Sequence, residues 1–274
     1  MQTEVCAIND CARLSIGRLA ARLLLVSLLA SSVLLPSLAL AGCGGKADDT
    51  QSESTAAEEE GQVVAPPPIA GETLNLGNIS FQSYWTGETV TKACNWRVLA
   101  VTDGQALIIS EKVIELRPFH REETDVYWEN SFIRGWLNGN FYEGLPAELK
   151  ARVQDTQVSN SYVNPDDPTA TAHATTTDKV FLLSVDEAEQ YFANDELRSA
   201  RLDLGSAPIN EFRRINGVDE LFISDGDGWG WWLRSSGASG TEAATVGSGG
   251  HVNTYGYTAF YADCGIRPAM WISY

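Results

Sequence analysis

The chain has 274 residues, with 36 acidic side chains against 19 basic ones and a net charge of −17 at neutral pH. So large a surplus of negative charge is repelled by nucleic acid and by anionic lipid, which excludes nucleic acid as a partner.

Residues 1–42 read as a lipoprotein signal peptide. Arg13, Arg18 and Arg22 precede the apolar run "LLLVSLLASSVLLPSLAL", and small residues follow it. Pro36 and four serines weaken the run as a permanent membrane span, the alternative reading. Leu40-Ala41-Gly42-Cys43 resembles the lipobox of bacterial lipoproteins, in which the cysteine thiol is lipidated and the peptide bond before it is cut. Cys43 is therefore the expected lipidation site. Two acyl chains plus one amide-linked chain anchor firmly where a single chain binds only marginally. The chain is expected to be exported and held on the bacterial membrane, its folded part facing outward. Loss of the leader removes three arginines and two acidic residues, which leaves the mature chain at −18.

Residues 43–71 are acidic and rich in Gly, Ser, Ala and Pro, without apolar periodicity, and read as a disordered tether. About thirty such residues reach roughly 30 Å as a flexible coil. Residues 72–274 are expected to form a single globular domain.

Within that domain, "NWRVLAVTDGQALIISE" predicts a β-hairpin. Its two β-rich runs flank Asp103-Gly104, a strong turn signal. "WENSFIRGWLNGNFYEGL" predicts a helix with Ile133, Trp136, Leu137 and Phe141 on one face and Arg134 and Asn138 on others. Pro146 suits the first turn of a second helix, "PAELKARV". Residues 160–177 read as a long irregular loop, and "DKVFLLS" as a buried strand. Ser184 to Glu187 fits a capping box that starts the helix "VDEAEQYF". Strands are expected over 229–234 and 266–272. Between them the density of Gly, Ser, Thr and Asn demands tight turns. The pattern is α+β, with short helices in the first half and a loop-rich antiparallel β second half.

Several strings together resemble an uncharacterised bacterial family, domain of unknown function 6273, common in surface proteins and lipoproteins of gut bacteria. They are "WRVLAV", "QALIISE", "WENSFIRGWLNGNFY", "DKVFLLS", "WWLRSSG" and "GIRPAMWI", spread over residues 96–272. Ser236 stands where that family is expected to carry proline. The Gly- and Trp-rich final third and the closing "GIRPA" also resemble the C-type-lectin-like fold, including its sulfatase-modifying branch. That resemblance implies a single C-type-lectin-like domain whose first and last strands pair.

Cys6 and Cys11 leave with the leader and Cys43 takes lipid, so Cys94 and Cys264 remain. In an exported protein an isolated pair points to a disulfide, with two buried thiols as the alternative. Closing a loop of about 170 residues is worth roughly 3–5 kcal/mol on the loop-entropy account. Paired first and last strands, as the lectin-like resemblance implies, bring these cysteines close.

"GWGWWLRSSG" sets Trp229, Trp231 and Leu233 on one face of a strand, with Trp232 and Arg234 on the other. A sheet buried on both faces uses them all, with Arg234 stacked on or hydrogen-bonded beside an indole. Trp229, nearest the loop, is the candidate for exposure. Asp225 and Asp227 alternate with glycines, which suits either turns or oxygen ligands for Ca²⁺, with Glu220 and Asp263 as further donors. No other cofactor is implied. His120, His173 and His251 are far apart and form no metal motif. His120 with Glu122 and Glu123 reads as a solvated loop before a ligand set. No GxSxG elbow is present, and Cys94 has no histidine nearby in sequence. The sulfatase-modifying branch uses a local pair of reactive cysteines, which this chain lacks.

The leading expectation is a non-catalytic, surface-anchored binding module for a glycan, peptide or envelope protein. Its ligand face would comprise Asp225, Asp227, Trp229, His251, Asn253 and Tyr255. The alternatives are a carbohydrate-active hydrolase with scattered carboxylates and a structural member of an envelope complex.

Overall fold

Alternating burial along residues 73–110 builds the first sheet in this computed structural model, which describes residues 66–167, 169–203, 207–216 and 228–274. The signal segment, Cys43, most of the tether, Glu220, Asp225 and Asp227 lie outside the described residues. A compact unit begins at Pro67 and continues to Tyr274.

Strand β1 (Thr73–Gln82) pairs antiparallel with β2 (Thr89–Thr102), and β2 with β3 (Gln105–Ser110). The expected turn is present: Thr102 faces Gln105 across Asp103-Gly104. The last strand, β9 (Ala269–Ser273), closes the sheet on β3, so the order is β1-β2-β3-β9. β1 has no counterpart in the sequence reading. Its apolar period of two breaks where the register shifts between Asn75 and Asn78, and Gly77 takes a positive φ of 94° there.

The expected long helix is broken into pieces. A 3₁₀ turn (Trp128–Asn130) leads into α1 (Phe132–Trp136), which continues as a π-helical turn over Leu137–Phe141. The apolar face is as expected: Ile133, Trp136, Leu137 and Phe141 are all buried. Helix α2 (Ala147–Arg152) follows, with Pro146 as its N-cap.

Residues 160–177 are more ordered than a loop. β4 (Thr156–Asn160) pairs antiparallel with β5 (His173–Asp178), and only the tip between them is irregular. Conversely, "DKVFLLS" is buried without forming a strand beyond Asp178. Its Lys179 and Val180 amides donate to Asn138 Oδ1 (2.7 and 3.2 Å), and Phe181 forms one isolated bridge to Ala269. A helix side chain thus takes hydrogen bonds that a neighbouring strand would have taken.

The capping box forms as expected at α3 (Val185–Tyr191). Ser184 Oγ accepts from Glu187 N at 3.1 Å, and Ser184 N donates to Glu187 Oε2 at 3.0 Å. Two helices not anticipated follow, α4 (Asp195–Arg198) and α5 (Ala207–Asn216). A three-stranded antiparallel sheet completes the fold: β6 (Trp231–Ser236), β7 (Glu242–Val246) and β8 (Val252–Thr258). Gly250 between β7 and β8 has φ +89°, and a Cβ there would lie 1.7 Å from the Asp195 carbonyl oxygen, so only glycine fits. Helices and antiparallel sheets together make the fold α+β, as expected.

The disulfide expectation is corrected. Cys94 and Cys264 are both buried and neither is in a disulfide. Beside Cys94, the Asn95 carbonyl accepts from Glu111 N at 2.9 Å, whereas the Cys264 carbonyl accepts from Arg117 N at 3.0 Å. The two cysteines thus flank opposite ends of the 111–117 segment, each as a free thiol. β2, which carries Cys94, is separated from the last strand β9 by β3. Burial pushes the Cys94 thiol up to about 12, so little reactive thiolate forms at physiological pH. Iodoacetamide under mildly alkaline, non-reducing conditions is expected to spare Cys94 in the native chain. After unfolding it should alkylate both Cys94 and Cys264; a disulfide-linked peptide pair in the mass map would contradict this.

Candidate functional site

The tryptophan-rich stretch is core. Trp231 and Trp232 are both fully buried, on opposite faces of β6. Their indoles donate to the carbonyls of Arg198 (3.2 Å) and Arg117 (2.8 Å). The arginine over an indole of this stretch is Arg267, whose guanidinium lies 4.9 Å from the Trp231 ring. Arg234 instead lies over Phe181 and is tied to Glu187. Trp229 is half-buried: it donates to the Asp263 carbonyl at 2.9 Å and packs edge-on against Phe212.

The other described ligand candidates each have surroundings of their own. Asn253 spends its amide on Gly256, accepting from its N–H (3.3 Å) and donating to its carbonyl (3.1 Å). The His251 imidazole lies against Gly247 at the turn before β8. Tyr255 points outward and is 65 % exposed. His120 Nδ1 accepts from Phe132 N at 3.3 Å, so it fastens its loop to α1, while Glu122 and Glu123 are exposed. Among the described residues no group of three or more His, Cys, Asp or Glu is placed to hold a metal ion.

A different set of residues forms a polar cleft of ≈190 Å³. Its walls are the 3₁₀ turn, the β4–β5 hairpin, the start of α3 and the end of β6. Tyr127 and His173 stack face to face there, centroids 3.7 Å apart, and His173 Nδ1 is 3.1 Å from Glu129 Oε1. At the base, Arg234 is 4 % exposed. It pairs through both terminal nitrogens with Glu187 and donates to the carbonyls of Leu182 (2.8 Å) and Ser159 (3.0 Å). Glu187 thus caps α3 and anchors β6 at once, which holds two walls of the cleft in register.

Two acceptors in this wall are not satisfied. Glu129 Oε2 and Asn160 Oδ1 are buried and have no hydrogen-bond partner among the described residues. An unpaired buried acceptor costs about 1–3 kcal/mol. Both residues line the same cleft, so the deficit is local. Burial and the carboxylates of Asp125, Asp167 and Glu129 push the Tyr127 phenol up; burial and Asp186, Asp166 and Glu189 do the same to Tyr162. Both phenols stay protonated at neutral pH. The cleft is therefore rich in acceptors, acidic at its rim and lined by aromatic rings.

Sequence reasoning missed this site because its parts are distant in the chain. Glu129 lay within the "WENSF" start of an expected helix without being singled out, and His173 read as one of three unrelated histidines. Only the β4–β5 pairing carries His173 to Glu129.

The molecule is thus an α+β domain with a donor-seeking polar cleft. It belongs to the family described as Domain of unknown function (DUF6273), whose model matches residues 103–274, more than half of the chain. The match opens in the turn between β2 and β3, so β1 and β2 precede it while pairing into the same sheet. No curated protein and no solved structure matches the chain. Ser236, the departure from the expected proline, ends β6, and its carbonyl accepts from Asn164 Nδ2 at 3.1 Å.

Proposed function

We infer that this chain is an exported lipoprotein, acylated at Cys43, whose folded module binds a hydroxyl-rich ligand, a glycan, without turning it over. The observation that carries this reading is the pair of unpartnered buried acceptors, Glu129 Oε2 and Asn160 Oδ1, in one cleft. Sugar hydroxyls bring donors in the right number, and the tyrosines offer apolar ring surface for sugar C–H faces. Support for anchoring comes from the basic segment, the apolar run and the lipobox, with residues 43–71 as a spacer. No helix among the described residues is long and apolar enough to cross a membrane. The C-type-lectin-like architecture belongs to the same reading. It draws on the Gly- and Trp-rich end and on "GIRPA", whose chain returns to the first sheet through β9.

A thermal-shift screen of the purified full chain against neutral oligosaccharides and cell-wall fragments tests this. A ligand at about a hundred times its Kd adds roughly 2.7 kcal/mol, which for a domain of this size raises the midpoint by several degrees. At least one glycan is expected to do so. A flat screen would sink the glycan reading and turn attention to an envelope protein as partner.

The same cleft favours one second reading, a glycan hydrolase, because Glu129, Asp186, Glu187 and His173 all line it. Glu187 is already committed to Arg234 and the α3 cap, which leaves Glu129 and Asp186 as the carboxylates available to this reading. Turnover of a bound glycan with a bell-shaped pH profile would support this reading. Binding without turnover supports the first.

A further inference from the structure

A second cleft, independent of the one above, has the opposite chemistry. It encloses ≈620 Å³ between the β1–β2 turn, the 117–121 segment and α1. Arg117 lies stacked 3.9 Å from the Trp136 ring centroid, and Arg121 lies 3.8 Å from that of Phe132.

The donors here outnumber the acceptors. The buried carboxylate Glu115 is fully spent, accepting from Ser83 Oγ (2.8 Å), Tyr84 N (2.9 Å) and Arg117 Nε and Nη2 (3.0 and 2.8 Å). Arg117 Nη2 also donates to the Gln82 carbonyl at 2.9 Å. Arg117 Nη1 has no hydrogen bond among the described residues, and Arg121 neither an ion pair nor a hydrogen bond. Glu122 and Glu123 adjoin Arg121 in sequence and are exposed, but neither pairs with it. Trp136 is 7 % exposed and lines the cleft, and its Nε1–H is buried without an acceptor.

Two guanidinium groups facing one spent carboxylate leave an excess positive charge. In a chain with 36 acidic and 19 basic residues, a carboxylate partner for Arg121 would have been easy to supply. We propose that this cleft binds an oxyanion, a carboxylate or a phosphate carried on a small polar ligand. Arg121 is the outer contact, and Arg117 Nη1 and Trp136 Nε1 are the inner donors. Guanidinium stacked on an aromatic ring keeps its edge in place, which suits it to planar or tetrahedral oxyanions.

Titration calorimetry of the full chain with galacturonate, galactose 6-phosphate and neutral galactose tests the proposal, with intrinsic tryptophan fluorescence as a second readout. At least one charged sugar is expected to bind more tightly than galactose, and which one binds identifies a carboxylate or a phosphate ligand. Arg121→Gln, an exposed change that leaves the fold intact, is expected to weaken that binding about tenfold. Trp136→Phe keeps a ring and deletes the N–H, and is expected to weaken it roughly threefold. Neither charged sugar binding better than galactose would overturn the proposal, and so would unchanged affinity in Arg121→Gln. The glycan reading of the first cleft fails separately, on neutral ligands and Glu129.

Discussion

Replacing Arg267 by alanine is expected to lower the unfolding free energy by about 3–5 kcal/mol, measured by urea denaturation. The side chain is 1 % exposed. Its Nε donates to the Ser110 carbonyl at 3.0 Å, Nη1 to that of Arg198 at 3.2 Å and Nη2 to that of Glu111 at 3.4 Å. Desolvation is the largest influence on the guanidinium and pushes it down to about 9, with Glu111 opposing that shift. Removing a buried charge relieves a cost, so the loss must come from what remains. Alanine leaves a void beside Trp231 and Phe192 and takes donors from three carbonyls that join the end of β3 to α4. Methionine separates the two effects, because it refills most of the volume without restoring a hydrogen bond. Arg267→Met is expected to recover about half of the loss. An alanine variant as stable as the parent would show that Arg267 is a passenger in this core.

Trp232→Ala is expected to cost about 3–5 kcal/mol, against roughly 1–2 kcal/mol for Trp229→Ala. Trp232 is fully buried, with Phe119 at 5.7 Å and Tyr257 at 5.9 Å between ring centroids, and its indole supplies the Arg117 carbonyl. Trp229 is only half-buried, and it packs edge-on against Phe212. Thermal or urea unfolding of the two variants measures the gap directly. Equal, small effects would mean that the tryptophans form a surface platform after all.

What could be read from the chain depends on how local the physics was. The β2–β3 hairpin and the α3 cap were legible because each rests on residues within one turn: Asp103-Gly104 between β-rich runs, and Ser184 three residues before Glu187. β1 escaped notice because its bulge at Gly77 shifts the alternation by a residue. β5 escaped because "HATTTD" is polar and its partner β4 lies across a proline-bearing tip. Residues 179–184 looked like a strand because they are apolar on both sides, yet Asn138 from a helix satisfies their first amides. Cysteine arithmetic pointed to a disulfide, whereas Cys94 and Cys264 are buried as free thiols. The cleft itself joins Tyr127, Asn160, His173, Glu187 and Arg234, and no period or motif connects positions so widely spaced.

On the glycan reading, the unpartnered acceptors of this cleft exist for a ligand. The most direct measurement is calorimetric titration of a stabilising glycan into the parent chain and into Glu129→Gln, which keeps side-chain volume and puts an N–H donor in place of one carboxylate oxygen. An affinity loss of about tenfold or more with the fold retained is expected, since a hydrogen bond to a charged group is worth roughly 1.5–3 kcal/mol. Equal affinity in the two proteins would contradict it and move the ligand site elsewhere on the domain.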